Sequence, residues 1–182
     1  MFPSPPKRIQ ESPVDIELKE TIGDIQEMYR EDADKSRLVF KTSSQLEGRF
    51  RSDVKIRDHV LTIDEPTTIG GSDLGPSPVE VVLAALGSCQ EITYRAYATA
   101  LGIELDAVSV TIEGDIDFRG FFGVDDSVRP GYDDIRAVVK ITSDAPADQL
   151  EKLREVVNAH CPVLDMLTNP VPVSLDLVIT ES

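Results

Sequence analysis

The sequence predicts an α+β protein built on antiparallel sheet. Strand-like segments, in which apolar and polar residues alternate, come in groups and do not alternate regularly with helices. Between two such groups lies a long apolar segment, which begins with Ser77-Pro78 and ends before Gly102, the usual residues at the start and end of a helix. The chain has 182 residues, 41% of them apolar, which is enough to bury a core. We therefore expect strands on either side of one long helix.

The first half of the chain is expected to form a tail, a helix and an antiparallel meander. Residues 1–13 are rich in proline and predict a flexible tail. Apolar residues then recur at helical spacing from residue 14 to residue 29, namely at Leu18, Ile22, Ile25 and Tyr29. Strands are expected over residues 37–43, 47–56 and 59–64. A turn-rich loop over residues 67–78 follows.

The second half is expected to begin with the long helix, residues 78–101. Two strands follow over residues 106–113 and 135–142, and the loop between them carries Phe118, Phe121 and Phe122. A helix over residues 144–159 has Pro146 in its first turn. Period-two alternation over residues 171–180 predicts a last strand. The expected division is a tail and amphipathic helix over residues 1–35 and one domain over residues 36–182.

The acidic composition excludes several classes of function. There are 33 Asp and Glu residues against 18 Lys and Arg, a net charge of -15, so a nucleic-acid partner is not expected, because each phosphate contact needs a basic side chain. No apolar run reaches the roughly 20 residues that span a bilayer. Residues 1–20 lack the apolar core of a secretory signal, which favours a cytoplasmic location.

The chain is expected to need no metal or cofactor. Its two cysteines, Cys89 and Cys161, are far apart and lack the paired spacing of a zinc site. The Gly70-Gly71 loop has no lysine after the glycines and no dinucleotide-type glycine pattern, so it does not predict a phosphate cradle. Both cysteines are expected to be thiols in a cytoplasmic protein.

A cationic stripe is predicted on the second strand. The two-residue period places Arg49, Arg51, Lys55 and Arg57 on one face with Asp53. One interpretation is a solvated strand face. The other is a cationic wall beside an anion, which would be a local exception in a strongly acidic protein.

The two cysteines occupy different sequence environments. Cys89 lies on an apolar stripe of the long helix, which by itself favours an inert, buried thiol. Cys161 precedes Pro162 and a short apolar segment, so it is expected at the N-terminus of a helix, where N–H groups and the helix dipole favour a thiolate. His160 is expected to be a hydrogen-bonded surface residue.

Three motifs carry a resemblance to a known family. The segment Gly75–Cys89 resembles the first cysteine motif of the OsmC/Ohr family, the osmotically induced and organic hydroperoxide resistance proteins. The segment His160–Leu164, with Asn169-Pro170-Val171 after it, resembles the second cysteine motif. The segments Arg119–Gly123 and Val128–Tyr132 are similar to the link between two strands in the OsmC-like branch. The resemblance covers residues 37–180.

The resemblance implies a fold, an activity and a set of catalytic residues. The fold is a swapped α+β homodimer with two long central helices, in which each site uses both subunits. The activity is reduction of an organic hydroperoxide: Cys89 becomes a sulfenic acid, Cys161 resolves it to a disulfide, and an external dithiol reduces that disulfide. In the family an early-strand arginine and a glutamate support the thiolate, and here Arg51 and Glu80 are assigned to these roles.

Two points within this assignment stay open. Arg49 and Arg57 are alternatives to Arg51, because the register of the early strand is not fixed by the sequence. The glutamate of the hydroperoxide-resistance branch directly follows the helix-starting proline, whereas here Val79 holds that position and Glu80 is the nearest carboxylate. This departure resembles the OsmC-like branch. At about 100° per residue, Glu80 lies on the side of the helix opposite Cys89, so it would face an arginine or the partner subunit.

Two other functions remain open from the sequence. The first is a non-enzymatic dimer of the same family that senses redox state or binds a small apolar ligand. The second is a protein in which the thiols are only core residues, which the structure would support if Cys89 and Cys161 were too far apart to bridge.

Overall fold

The computed structural model describes residues 15–180, which form an α+β fold with two antiparallel sheets. The helices are α1 (Ile16–Glu31), α2 (Pro78–Leu101), α3 (Phe118–Phe121), α4 (Ala147–His160) and α5 (Pro162–Thr168). The strands are β1 (Thr42–Leu46), β2 (Ser52–Ile56), β3 (His59–Ile63), β4 (Ala107–Ile116) and β5 (Tyr132–Thr142). The predicted tail over residues 1–13 lies outside the described residues.

Helix α1 begins two residues later than the sequence predicts. Asp15 caps it by accepting the Leu18 N–H at 2.9 Å, as short acidic side chains do at helix N-termini. Leu18 and Ile22 are half-buried where α1 packs against α2. Ile25 keeps 40% of its surface exposed, so the predicted apolar stripe is only partly covered by the described chain.

The first sheet is a three-stranded meander. Thr42 of β1 pairs with Ile56 of β2, and Ile56 in turn pairs with His59 of β3 across the turn at Arg57 and Asp58. This turn fixes where β1 starts, because β2 ends at Ile56 and offers no partner to residues before Thr42. The prediction of a strand over residues 37–43 was therefore wrong in its bounds.

The second sheet and two helices enclose the core. Strands β4 and β5 pair along their whole length, from Ala107 with Thr142 to Ile116 with Tyr132. Alternate residues of β4 face inward, which confirms the predicted period-two pattern. The centre of the core comes from α2, the turn after it and α4, and it consists of Tyr94, Ala98, Leu105, Leu153 and Val157. The sheet and helix α4 thus hold α2 in place along its length.

The predicted last strand is not formed within the single chain. Residues 170–180 have no helix or strand assignment, although their apolar and polar residues alternate as predicted. A strand exists only through hydrogen bonds to a neighbouring strand, and no described strand pairs with this segment. Its apolar side chains stand in solvent: Val173, Leu175 and Leu177 are 80%, 92% and 86% exposed.

A helix that spans a bilayer needs roughly 20 mostly apolar residues. Between residues 15 and 180, no helix is both long enough and apolar enough to cross a bilayer.

Candidate active site

Helix α2 carries Cys89, and local signals set where this helix begins and ends. The Ser77 side chain accepts the Glu80 N–H at 3.4 Å, and the Glu80 carboxylate accepts the Ser77 N–H at 2.7 Å. This reciprocal arrangement is a capping box, with Pro78 at the first helical position. Gly102 ends the helix with a φ of 72°, a conformation that suits glycine. The predicted helix over residues 78–101 is confirmed to the residue.

Cys161 lies at the corner between α4 and α5. It is both the last cap of α4 and the first cap of α5, and its extended backbone (φ -77°, ψ 110°) ends one helix and starts the next. Pro162 imposes this corner, because the residue before a proline disfavours the helical conformation. The side chain of Cys161 is fully buried. The corner therefore holds Cys161 against α2.

The fold brings the two cysteines together. Their Sγ atoms lie 3.4 Å apart, although 72 positions separate them in sequence. Cys161 is buried, whereas Cys89 is partly exposed, and both are free thiols. A disulfide has an S–S length of about 2.0 Å, so sulfur movements of little more than 1 Å would join them. The interpretation that the cysteines are distant core residues does not agree with this geometry.

Burial is the main influence on the pKa of the Cys89 thiol. It raises the pKa of Cys89, because a thiolate loses hydration in a partly apolar site. Two hydrogen-bond donors near the sulfur, the Val163 N–H and the Thr93 hydroxyl, act to lower the pKa of Cys89, while the Cys161 thiol raises it further. The net direction is upward. None of the five largest influences on this pKa among the described residues is a charged side chain.

Arg51 is engaged with a neighbouring carboxylate. Its guanidinium donates to Asp53, with a nitrogen to Oδ2 distance of 2.7 Å, and Thr62 donates to the same carboxylate at 3.0 Å. The Asp53 hydrogen bond raises the pKa of Arg51, and Arg51 lowers the pKa of Asp53. The single chain therefore places Arg51 in an ion pair and does not bring it together with the cysteines.

The predicted cationic stripe is shorter than expected. Arg49 lies in a bend before β2, and Arg57 lies in the β2–β3 turn with a φ of 56°. Lys55 is the one basic residue of the stripe that is within β2. The ladder ends at Ser52 and Ile56 because β1 pairs only along that stretch.

The structure places Glu80 at the start of α2, nine residues before Cys89, where its carboxylate completes the capping box. The neighbouring Val79 carbonyl accepts the Tyr132 hydroxyl at 2.9 Å, which ties α2 to the start of β5. Glu80 and Cys89 are therefore not in contact within the single chain.

Two other residue groups lie where the sequence predicts them or close to it. His160 is exposed and bonds through Nδ1 to the Val156 carbonyl oxygen at 2.8 Å, in line with the predicted surface histidine.

The Phe-rich loop contains one helical turn, α3, in which the rings of Phe118, Phe121 and Phe122 contact one another. Phe121 and Phe122 are 61% and 55% exposed. These rings form an apolar surface at the link between β4 and β5.

Asp64 is a buried carboxylate that sequence reasoning missed. It is 1% exposed and accepts backbone N–H groups of Glu65, Ser72 and Leu74 at 2.8, 3.1 and 3.2 Å. Burial acts to raise the pKa of Asp64, but these three donors, together with the positive charge of Arg51, outweigh it and lower the pKa. Asp64 thus organises the loop that leads from β3 into α2. An aspartate directly before a glycine-rich loop is a signal that could have identified it.

The site holds no evident metal centre. Among residues 15–180, no group of three or more His, Cys, Asp and Glu side chains is arranged to hold a metal ion.

Solved structures with the same fold come from the OsmC and hydroperoxide-resistance proteins. An OsmC-like protein from Mycoplasma pneumoniae superposes with a TM-score of 0.63 at 17% identity, over 73% of this chain and 89% of that one. An organic hydroperoxide resistance protein OsmC from Legionella pneumophila gives 0.56 at 20% identity, over 73% and 93%. An organic hydroperoxide resistance protein from Elizabethkingia anophelis gives 0.56 at 14% identity, over 74% and 91%. At these identities the likeness establishes the fold alone.

The sequence comparisons give the family directly. No curated protein sequence matches the chain significantly. The family model described as OsmC-like protein matches residues 70–176, a range that contains both cysteines and all of α2. On this match, and in agreement with the resemblance seen in its cysteine motifs, the chain belongs to the OsmC-like protein family.

Proposed function

We propose that this protein is a thiol-dependent peroxidase that reduces organic hydroperoxides through Cys89 and Cys161. The observation that carries the proposal is the 3.4 Å distance between the two Sγ atoms. The partly exposed Cys89 can meet a substrate, whereas the buried Cys161 cannot, so the roles of attacking and resolving thiol follow from their exposure. The names of the Legionella and Elizabethkingia proteins support hydroperoxides as the substrate class.

The reaction balances with two thiols and an external dithiol. The Cys89 thiolate attacks one oxygen of the hydroperoxide, an S–O bond forms, the O–O bond breaks, and the leaving alkoxide takes up a proton to become an alcohol. Cys89 is now a sulfenic acid. The Cys161 thiol attacks that sulfur, an S–S bond forms, and water leaves. An external dithiol then reduces the disulfide by exchange and is itself oxidised.

The proposal includes a homodimer with exchanged strands and two central α2 helices. Exposed apolar residues support it at both ends of the domain, because a monomer gains nothing by leaving them in water. Val39 and Phe40, before β1, are 96% and 88% exposed, and Leu175 and Leu177 lie in the unpaired C-terminal segment. A second copy would supply the strand partner that residues 171–180 lack in the single chain.

The dimer would also supply a cation to the thiolate. Burial disfavours the Cys89 thiolate, and an opposite charge nearby would favour it. We assign this part to Arg51 of the second copy, with Glu80 holding it in place, and Arg49 and Arg57 are the alternatives. The proposal further places the protein in the cytoplasm, where thiols stay reduced between turnovers.

The test is peroxide-dependent oxidation of the fully reduced protein. Cumene hydroperoxide should remove two thiols per chain and produce cumyl alcohol, and added dihydrolipoamide should restore the thiols over many cycles. Cys89→Ser should abolish alcohol formation. Cys161→Ser should stop at a sulfenic acid, which dimedone labels. Unchanged thiols in the wild-type protein would overturn the proposal.

The arginine assignment has its own matched series. Arg49→Met, Arg51→Met and Arg57→Met each remove one charge from the same region and keep a long side chain. The variant that slows oxidation of Cys89 identifies the cation. If all three variants match the wild-type rate, the assignment of an early-strand arginine is wrong while the thiol chemistry stands.

A second function is favoured by one observation, the upward direction of the Cys89 pKa. A mostly protonated thiol reacts slowly, which disfavours repeated turnover and so suits a non-enzymatic dimer, one that binds a small ligand or is oxidised only once, better than an enzyme. Catalytic recycling separates the two, because a sensor is oxidised once and a dithiol does not sustain turnover. Several alcohols formed per Cys89 with dihydrolipoamide would exclude the sensor.

A further inference from the structure

Thr93 is a polar side chain on the same face of α2 as Cys89. It lies four residues after Cys89, and in a helix this spacing places two side chains on one face, one turn apart. Helical side chains lean toward the N-terminus, so Thr93 leans toward Cys89. Its hydroxyl donates to the Cys89 carbonyl oxygen at 2.7 Å and also reaches the sulfur. Thr93 is 7% exposed, so water does not readily take its place.

The hydroxyl has one proton and two acceptors within reach. In the thiol form that proton goes to the Cys89 carbonyl oxygen. This oxygen also accepts the backbone N–H of the residue four positions further along the helix. Turning the proton away from it therefore leaves no unpaired carbonyl. A thiolate is a charged acceptor, and hydrogen bonds to charged groups are stronger than neutral ones. Ionisation of Cys89 thus favours a turn of the hydroxyl toward sulfur.

We propose that Thr93 stabilises the Cys89 thiolate, as a hydroxyl donor that turns from the carbonyl oxygen to the sulfur when the thiol loses its proton. This inference deepens the proposed function, on which it rests for the use of the thiolate. It adds a donor from the helix of Cys89 itself to the cation that the proposed dimer would supply. It also explains why a polar residue occupies a buried position next to the apolar core.

The groups that face Cys89 from the other elements are few. From the corner of α4 and α5, the Cys161 thiol lies 3.4 Å from the sulfur and the Val163 N–H acts on it as a donor, and Cys161 is the one titratable group among the five largest influences on the pKa of Cys89. The thiol pair would complicate a titration. A Cys161→Ser background therefore leaves Cys89 as the only thiol of the chain.

The test is the pH dependence of Cys89 alkylation in the full-length Cys161→Ser protein. Iodoacetamide rates from about pH 6 to about pH 10 give the apparent pKa, since only the thiolate reacts. Thr93→Val removes the hydroxyl at nearly constant volume, and we expect the pKa to rise by roughly one unit and the rate at pH 7 to fall about tenfold. The limiting rate at high pH should not change. Thr93→Ser should restore most of the wild-type profile.

A matched control comes from the same helix. Thr99 is also buried, at 4% exposure, but lies ten residues from Cys89, so Thr99→Val should leave the profile unchanged. A Thr93→Val profile equal to wild type would overturn the inference. If Thr93→Val does not fold, Thr93→Ala provides the same comparison against Thr93→Ser.

The two proposals fail separately. If peroxide does not oxidise the wild-type protein but Thr93→Val still raises the alkylation pKa, the peroxidase function is wrong and the role of Thr93 stands. If peroxide is reduced and Thr93→Val leaves the pH profile unchanged, the peroxidase function stands and the role of Thr93 is wrong.

Discussion

Joining the two cysteines should stabilise the protein by a large and calculable amount. The 3.4 Å separation of the sulfurs exceeds an S–S bond by little more than 1 Å, so the bond should form with small side-chain rotations. It would close a loop of 72 residues. Chain-entropy arguments give about 4 kcal/mol at 25 °C for a loop of this length. We expect this gain because the cross-link restricts the unfolded chain while it barely moves the folded one.

The measurement compares urea unfolding of reduced protein with that of protein oxidised by one equivalent of diamide, which does not depend on peroxidase activity. At a slope of about 2 kcal/mol per molar urea, the midpoint should rise by roughly 2 M. Both samples need the same protein concentration, because dimer formation would also shift the midpoint. The Cys161→Ser variant, treated in the same way, should show no shift.

Two results would refute this reasoning. A disulfide that forms only between chains, seen on a non-reducing gel as a dimer band that dithiothreitol converts to monomer, would mean that Cys89 and Cys161 of one chain do not meet in solution. An oxidised monomeric chain with a lower midpoint would mean that the corner at Cys161 strains the bond.

Four further substitutions test local elements of the fold by urea unfolding. Asp64→Asn should lower the free energy of unfolding by roughly 1–3 kcal/mol at neutral pH, since the amide cannot satisfy three N–H donors. Because the pKa of Asp64 is lowered in the folded protein, the stability advantage of the wild type should fade as the pH drops below about 4. Ser77→Ala should cost about 1 kcal/mol through loss of the cap. Gly71→Ala should cost about 1–3 kcal/mol, because its Cβ would lie 1.7 Å from the Glu65 carbonyl oxygen. Gly23→Ala, with open space, should instead stabilise α1 by about 0.5–1 kcal/mol.

The parts of the fold that the sequence predicts well depend on local signals. Helix α2 has its cap, its proline and its terminal glycine within the segment itself, and its predicted bounds are confirmed. The strand over residues 171–180 has the right alternation but lacks a partner in the chain. Period-two alternation predicts that a segment suits a sheet, and it does not predict which strand will pair with it.

The candidate site was less accessible to sequence reasoning. Nothing in the spacing of Cys89 and Cys161 indicates that they meet, and only the resemblance to the family led to that expectation. Asp64 escaped notice because two of its donors, Ser72 and Leu74, come from a loop eight and ten residues further along. Arg51 was expected beside an anion, and its anion in the single chain is Asp53, two residues away.

This Arg51–Asp53 pair leads to a prediction about the thiolate. If Arg51 of a second copy faces Cys89, Asp53 weakens its effect by neutralising the guanidinium, and Asp53→Asn should lower the apparent pKa of Cys89 and speed alkylation at pH 7. Asp58, in the β2–β3 turn, offers a control of equal charge, and Asp58→Asn should change the rate only through the general field of the protein. A protein of net charge -15 has a general field that opposes a thiolate, and both variants reduce that field equally. Equal rates for the two variants would therefore mean that Arg51 does not act on Cys89, and the hydroxyl and N–H donors would remain as the groups that stabilise the thiolate.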